Sequence, residues 1–183
     1  MSVTYDVVVY GGDLPGVFAA AKAAAELGST STNKKVALIV PYPKTKYTDL
    51  SGASVEDYLL GGIMTAGGLN YWDDAEDANG LYQQGSYYYY KNALGHGFNR
   101  IALSNLCKQS MNNTNGVYVQ VYYGMDVYSF TTLSSPFRLQ SVTIRSIERV
   151  ASGTYAGNIK WSTTTNSTQL YATVFIDAST DGR

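Results

Sequence analysis

Val3-Thr4-Tyr5-Asp6-Val7-Val8-Val9-Tyr10-Gly11-Gly12-Asp13-Leu14-Pro15-Gly16 is the stretch that decides the fold. Its first eight residues are β-branched and aromatic with one charge, the pattern of a strand buried on both faces, and a glycine pair ends them. From Pro15 to Leu27 the chain is alanine-rich, with Val17, Ala20, Ala24 and Leu27 at helical spacing and Gly28 where a C′ glycine would stop the helix. A polar loop, Ser29 to Asn33, leads to Lys35-Val36-Ala37-Leu38-Ile39-Val40, a second buried-strand pattern closed by Pro41. Strand, glycine turn, helix and strand predict a right-handed βαβ unit.

Outward from that unit the signals are more varied. Pro41 to Tyr58 has no clear period and reads as a long loop carrying a short helical turn. Gly61-Gly62-Ile63-Met64-Thr65-Ala66-Gly67-Gly68 is glycine-dense, which lets backbone come close to a ligand or to another backbone segment. Tyr71 to Gly85 carries Asp73, Asp74, Glu76 and Asp77, but the spacing is not that of a calcium loop and a solvated face explains it. Tyr87 to Tyr90 is a run of tyrosines, read as core packing plus an interaction patch or as a stacking surface. Phe98 to Met111 has helical period. Val117 to Tyr123, Val127 to Thr131, Leu139 to Val150, Asn158 to Ser162 and Gln169 to Asp177 are strand-like, and the last is predicted to be doubly buried and to rejoin the first sheet. The expected fold is α/β and Rossmann-like, a single domain spanning 1–183 with a mostly parallel sheet and an inserted antiparallel β-meander over about Val127 to Ser162.

Composition narrows the function. The 183 residues carry 13 Lys+Arg against 14 Asp+Glu, a net charge of −1, so no general attraction for nucleic acid or anionic lipid exists. The single cysteine, Cys107, excludes an intrachain disulfide and reads as a small buried apolar residue. His96, between Gly95 and Gly97, has no orienting partner in the sequence and reads as a loop residue rather than a catalytic base. No apolar run is long enough for a membrane span. The sequons at Asn112 and Asn166, with 17 tyrosines and low charge, give a weak hint of secretion and leave localisation open.

The chemistry points to the turn. Gly11 to Gly16 stands between strand and helix, where backbone N–H groups and the helix dipole bind a pyrophosphate. Read as G-x-G-x-x-G, Gly11 makes the tight turn, Gly16 allows helix and strand to pack closely, and Asp13 replaces the middle glycine. Asp13 is well suited to cap the helix, but unfavourable beside phosphates unless it turns away. Val40 stands where an acid would accept hydrogen bonds from the adenosine ribose. Loss of one such charged hydrogen bond is worth about 1.5–3 kcal/mol, which weakens a dinucleotide site without abolishing it.

Tyr5 to Gly16, Lys35 to Pro41, Leu60 to Gly68 and Phe175-Ile176-Asp177-Ala178-Ser179-Thr180-Asp181-Gly182, in this order, resemble the FAD-dependent oxidoreductases of the glutathione-reductase-like flavoproteins. The resemblance covers nearly the whole chain, with Tyr71 to Asn115 similar only in general plan. It implies that Gly11, Gly12 and Gly16, with Asp13, Leu14 and Pro15 between them, line an FAD pyrophosphate, and that Gly61, Gly62, Met64 and Thr65 lie near the ribityl or flavin part. It also implies that the Val127 backbone reads adenine and that Asp181 binds the ribityl chain or a phosphate-linked water. Thr180 stands where the family has glycine. Such flavoproteins continue through a substrate domain, so the chain is expected to be the amino-terminal FAD-binding portion of a larger protein acting on a small organic substrate. Contact with that further part, or a homo-oligomer, is the expected association. The alternatives are a non-catalytic Rossmann-like remnant with a structural or self-assembly role, and an NAD(P)-dependent dehydrogenase, for which only Lys44 follows the second strand. No residue receives a catalytic role.

Overall fold

The Val3 to Tyr10 run forms the centre of the sheet in the computed structural model, as β1 (Ser2–Tyr10) with Val7, Val8 and Val9 buried. The structure describes residues 1–30, 34–49, 51–67, 93–95, 97–112, 117–163 and 166–179. The chain passes from β1 into α1 (Leu14–Thr30) and back into β2 (Val36–Val40), all five of whose residues are buried. β2 lies parallel to β1 with Val7 opposite Val36 and Tyr10 opposite Ile39. Beyond β2 lies β5 (Val119–Tyr123), and on the other side of β1 lies β9 (Ser167–Asp177), both parallel to their neighbours. This gives the parallel order β5-β2-β1-β9, and the expected βαβ unit stands at its centre.

The meander continues the same sheet. β7 (Phe137–Arg149) pairs antiparallel with β9, with β6 (Met125–Ser134) and, through three residues, with β8 (Ile159–Trp161). The antiparallel insertion runs close to the span expected from the sequence.

Two apolar clusters cover the two faces. Val7, Val9, Val17, Ala20, Ala24, Val36, Leu38 and Val40 form one with α2 (Arg100–Ser110), whose Leu103 and Cys107 are fully buried. The burial of Cys107 agrees with its reading as an apolar residue. Tyr5, Val8, Ala37, Ile39, Val142, Ile144 and Leu170 form the other, so residues of one strand serve both clusters. Asn99 caps α2, its Oδ1 accepting from the Ile101 and Ala102 N–H groups at 2.8 and 3.3 Å.

Three expectations are corrected. α1 does not stop before Gly28 but runs through it to Thr30. A glycine late in a helix costs only about 1 kcal/mol relative to alanine, which the preceding alanines and their packing offset. Among the described residues Pro41 to Tyr58 holds no helical turn; it contains a hairpin, β3 (Thr45–Thr48) against β4 (Ser54–Asp57), with Tyr47 opposite Val55. Asp49 closes that hairpin, because its Oδ1 accepts from the Ser51 N–H, the Ser51 hydroxyl and the Ala53 N–H at 2.8, 2.6 and 2.9 Å. Finally, β9 rejoins the sheet but is not doubly buried: Leu170 is buried while Val174 is 46% exposed. The physical reason is coverage, since α1 lies over β1, β2 and β5. Among the described residues no helix is long and apolar enough to cross a membrane.

Candidate functional site

The sheet order places a topological switch point between β1 and β9, since the chain leaves β1 toward β2 on one side and returns as β9 on the other. Ligands of open α/β sheets bind outside the carboxyl ends of the strands at such a point. Gly11 follows β1 there, held by its N–H donating to the Ile39 carbonyl at 3.0 Å. Ala178 follows β9 and donates to the Tyr10 carbonyl at 2.9 Å.

Close packing explains the glycines. Gly11 has φ +124°, and a Cβ on it would lie 2.7 Å from the Ala178 carbonyl oxygen. A Cβ on Gly16 would collide with the Gly11 carbonyl oxygen, so helix and strand meet at a distance that only glycine permits. α1 begins at this contact: the Val17 N–H donates to the Asp13 carbonyl at 3.0 Å, placing Asp13 at the helix N-terminus. Gly12, Asp13, Leu14 and Gly16 are buried and Pro15 is exposed.

The second glycine segment is stitched to the first. Gly61 donates its N–H to the Gly12 carbonyl at 2.9 Å. Gly62, at φ +59°, opens a 3-10 turn over Gly62–Met64. The Asp13 carboxylate occupies the space that a Cβ on Gly62 would fill, so it is turned onto the Gly61-Gly62 loop. Thr65 is fully buried, and its hydroxyl donates to the Gly62 carbonyl at 3.2 Å. Met64 is half-buried and packs against the helix-side core. Leu60, just before the loop, donates its N–H to the buried Ser104 hydroxyl of α2 at 3.0 Å, which anchors the loop to the helix.

Gly11, Gly12, Asp13, Leu14, Gly16, Val40, Gly61, Gly62, Met64 and Thr65 therefore gather around one helix terminus. Val127 does not join them: it lies on β6 opposite Ile144 and packs with the cluster on the other face. There it lines a cleft of about 840 Å³ together with Tyr10, Ile39, Phe130, Val142 and Phe175. Asp181, Thr180, His96, the acidic segment and Tyr87 to Tyr90 lie outside the described residues.

One residue that the motif reading passes over belongs to the site, and an aromatic pair lies beyond it at the start of the meander. The Tyr42 ring, two residues past β2, lies 2.9 Å from a Cβ placed on Gly12, so an aromatic face stands beside the turn. Tyr58 stacks on Tyr123 with ring centroids 5.1 Å apart, and Gly124, at φ +62°, lets the chain pass beneath Tyr58 between β5 and β6. Burial pushes the Tyr123 hydroxyl pKa up, helped by the Asp57 charge and by Cys107. The only sequence signal for Tyr42 was an aromatic residue two positions past a predicted strand end. Among the described residues no group of three His, Cys, Asp or Glu side chains is placed to hold a metal.

The residues fit a dinucleotide in their backbone shape, with the Gly11–Gly16 contact and helix terminus at the switch point. Asp13 satisfies the condition the sequence set for it, since its carboxylate is turned onto Gly62. Val40 is fully buried and offers ribose no acceptor side chain.

No protein-family model matches the chain. No curated protein matches it significantly either. Among solved structures it is similar to THI4 of Thermovibrio ammonificans, at TM-score 0.50 and 13% identity, over 96% of this chain and 57% of that one. It also matches the myxobacterial chondrochloren halogenase CndH, described as a variant of FAD-dependent halogenases, at TM-score 0.43 and 14% identity, over 96% of this chain and 37% of that one. The chain thus spans little more than half the length of THI4. The likeness to THI4 bears out the Rossmann-like α/β fold.

Proposed function

We propose that this chain is the FAD-binding domain of a flavin-dependent oxidoreductase that acts on a small organic substrate. The observation that carries the reading is the seam in which Gly16 packs on Gly11 at the start of α1 while Gly61 bonds to Gly12, because it brings both glycine segments of the flavoprotein resemblance to one helix terminus. Gly11, Gly12, Leu14 and Gly16 would hold the pyrophosphate and the Gly61 to Thr65 segment the ribityl side, with Asp181 completing that side. Bound flavin would supply the redox chemistry, and the chain's own residues position it and shape its surroundings. Val127, on the opposite face, would contribute to adenine only through its backbone.

The test is retention of FAD through gel filtration, read as visible flavin absorption. Retention by the folded protein, lost in Gly16→Trp and weakened in Tyr42→Ala with circular dichroism unchanged for the latter, is the expected result. Absence of retention by a folded protein, and again by any longer natural form, overturns the reading.

A second reading has its own observation. Val40 is fully buried and supplies no acceptor for ribose, which suits a Rossmann-like remnant whose fold outlived its cofactor. Failure of both forms to retain flavin would select it.

A further inference from the structure

Arg145 lies on β7, opposite Asp126 of β6 and Ser167 of β9. Its guanidinium carbon stands 4.5 Å from the centre of the Tyr128 ring and 5.9 Å from that of Trp161. Those two rings meet edge to face at 5.4 Å, so β6 and β8 set a joined aromatic pair beside one cation. Contact with aromatic rings attracts the guanidinium charge but gives its N–H donors no oxygen acceptor.

Those donors have no acceptor among the described residues. Nε is shut off from solvent with no hydrogen-bond partner, and no partner of either Nη atom is found, although neither is sealed. Asp126, opposite Arg145 across the ladder, has one carboxylate oxygen engaged elsewhere: its Oδ1 accepts from the Tyr10 hydroxyl at 2.8 Å and from the Val127 N–H at 2.7 Å. Glu148, further along β7, pairs with Lys160 at 3.2 Å. Tyr128 and Trp161 remain 53% and 38% exposed, leaving ring surface beside the cation.

We infer that Arg145, Tyr128 and Trp161 form a binding site for a small organic carboxylate with a flat apolar body. The Nη edge donates two parallel hydrogen bonds to the carboxylate, the geometry for which a guanidinium is preorganised, and the body lies along the rings. A single charge is favoured over a phosphate dianion because the Asp126 carboxylate belongs to the residue paired with Arg145 across the β6–β7 ladder. The site uses β6, β7 and β8 alone and stands whether or not the domain holds flavin.

The test uses benzoate on the full chain carrying Trp72→Phe, which leaves Trp161 as the single tryptophan reporter. Benzoate is expected to change its emission saturably, with at least fivefold weaker binding in Arg145→Lys and none in Arg145→Gln. The neutral benzyl alcohol and ring-less acetate are expected to bind at least fivefold more weakly. No saturable response to benzoate overturns the inference, as does an equal response in Arg145→Gln, equal binding of benzyl alcohol, or tighter binding of inorganic phosphate. Should Arg145→Gln fail to fold by circular dichroism, calorimetry on Arg145→Lys and Tyr128→Leu decides, and unchanged affinity in both rejects the site.

Discussion

β2 and β6 are both built largely from apolar and β-branched residues, yet every residue of β2 is buried and none of the ten residues of β6 is. The difference is position rather than composition. β2 lies between β1 and β5 with α1 over one face and the second apolar cluster on the other. β6 is the edge of the same sheet, where Phe130 is 66% exposed. An edge strand without charged residues beyond Asp126 invites further pairing, and the register shifts at Val127/Ser129 and Thr131/Thr132 are the irregularities by which natural edges resist it. The buried half of the molecule is fixed by contacts with no slack, whereas the meander holds its exposed side chains by stacking and local pairs.

The largest effect is expected where there is least slack. Gly16→Val drives a side chain into the Gly11 carbonyl, which neither helix nor strand can yield without parting, and the loss is set at about 4 kcal/mol. Urea denaturation reads it, and an unchanged midpoint would break the account of the glycine turn. Next comes a paired test of centre against edge. Leu38→Ala, at a fully buried site, is expected to lose about 3 kcal/mol, whereas Phe130→Ala on the edge is expected to change stability by about 0.5 kcal/mol or less. Equal losses would mean that the exposed edge is covered in solution.

A smaller effect joins the start of β1 to the segment before β2. Asp6 accepts from the Lys35 N–H at 2.8 Å and from Lys34 Nζ at 3.0 Å. The Lys35 backbone hydrogen bond, aided by Lys34, holds the Asp6 carboxyl below its ordinary range. A lowered folded pKa means that this stabilisation is complete above the unfolded value, near pH 4, and is lost as pH falls through the lower folded value. Asp6→Asn is therefore expected to lose about 1 kcal/mol at pH 7, and the difference from the native protein should shrink on acidification below about pH 4. A difference that grows on acidification would contradict the sign.

How far the sequence showed all this follows the same division. Val7 to Val9, Gly11, Gly16 and Val36 to Val40 declared the βαβ unit because local pattern and tertiary role coincide there. The β3–β4 hairpin stayed hidden because its short strands are held by Asp49 turn bonds that no periodicity announces. The exposure of β9 depended on where α1 lies, which is a property of packing. At the site, the glycines were legible from spacing, but the direction of the Asp13 side chain, the Tyr42 ring and the separation of Val127 onto the other face depend on contacts between segments far apart in the chain.

The smallest effect tests the loosest part of the comparison. Lys160 and Glu148 face each other across β7 and β8 at 3.2 Å, with side chains 48% and 42% exposed. In water the attraction of such a pair is mostly offset by hydration of each charge and by the rotamer freedom lost in holding the two chains together. Lys160→Ala is expected to change stability by about 0.5 kcal/mol or less, and the native protein should lose little on raising salt. β8 then owes its place to Trp161, whose ring meets Tyr128 and lies beside the Arg145 cation. Trp161→Ala should therefore detach β8 more than Lys160→Ala does, read as faster amide exchange at Ile159 to Trp161. Equal exchange in the two variants would give the strand to its ion pair and leave the aromatic pair without a structural role.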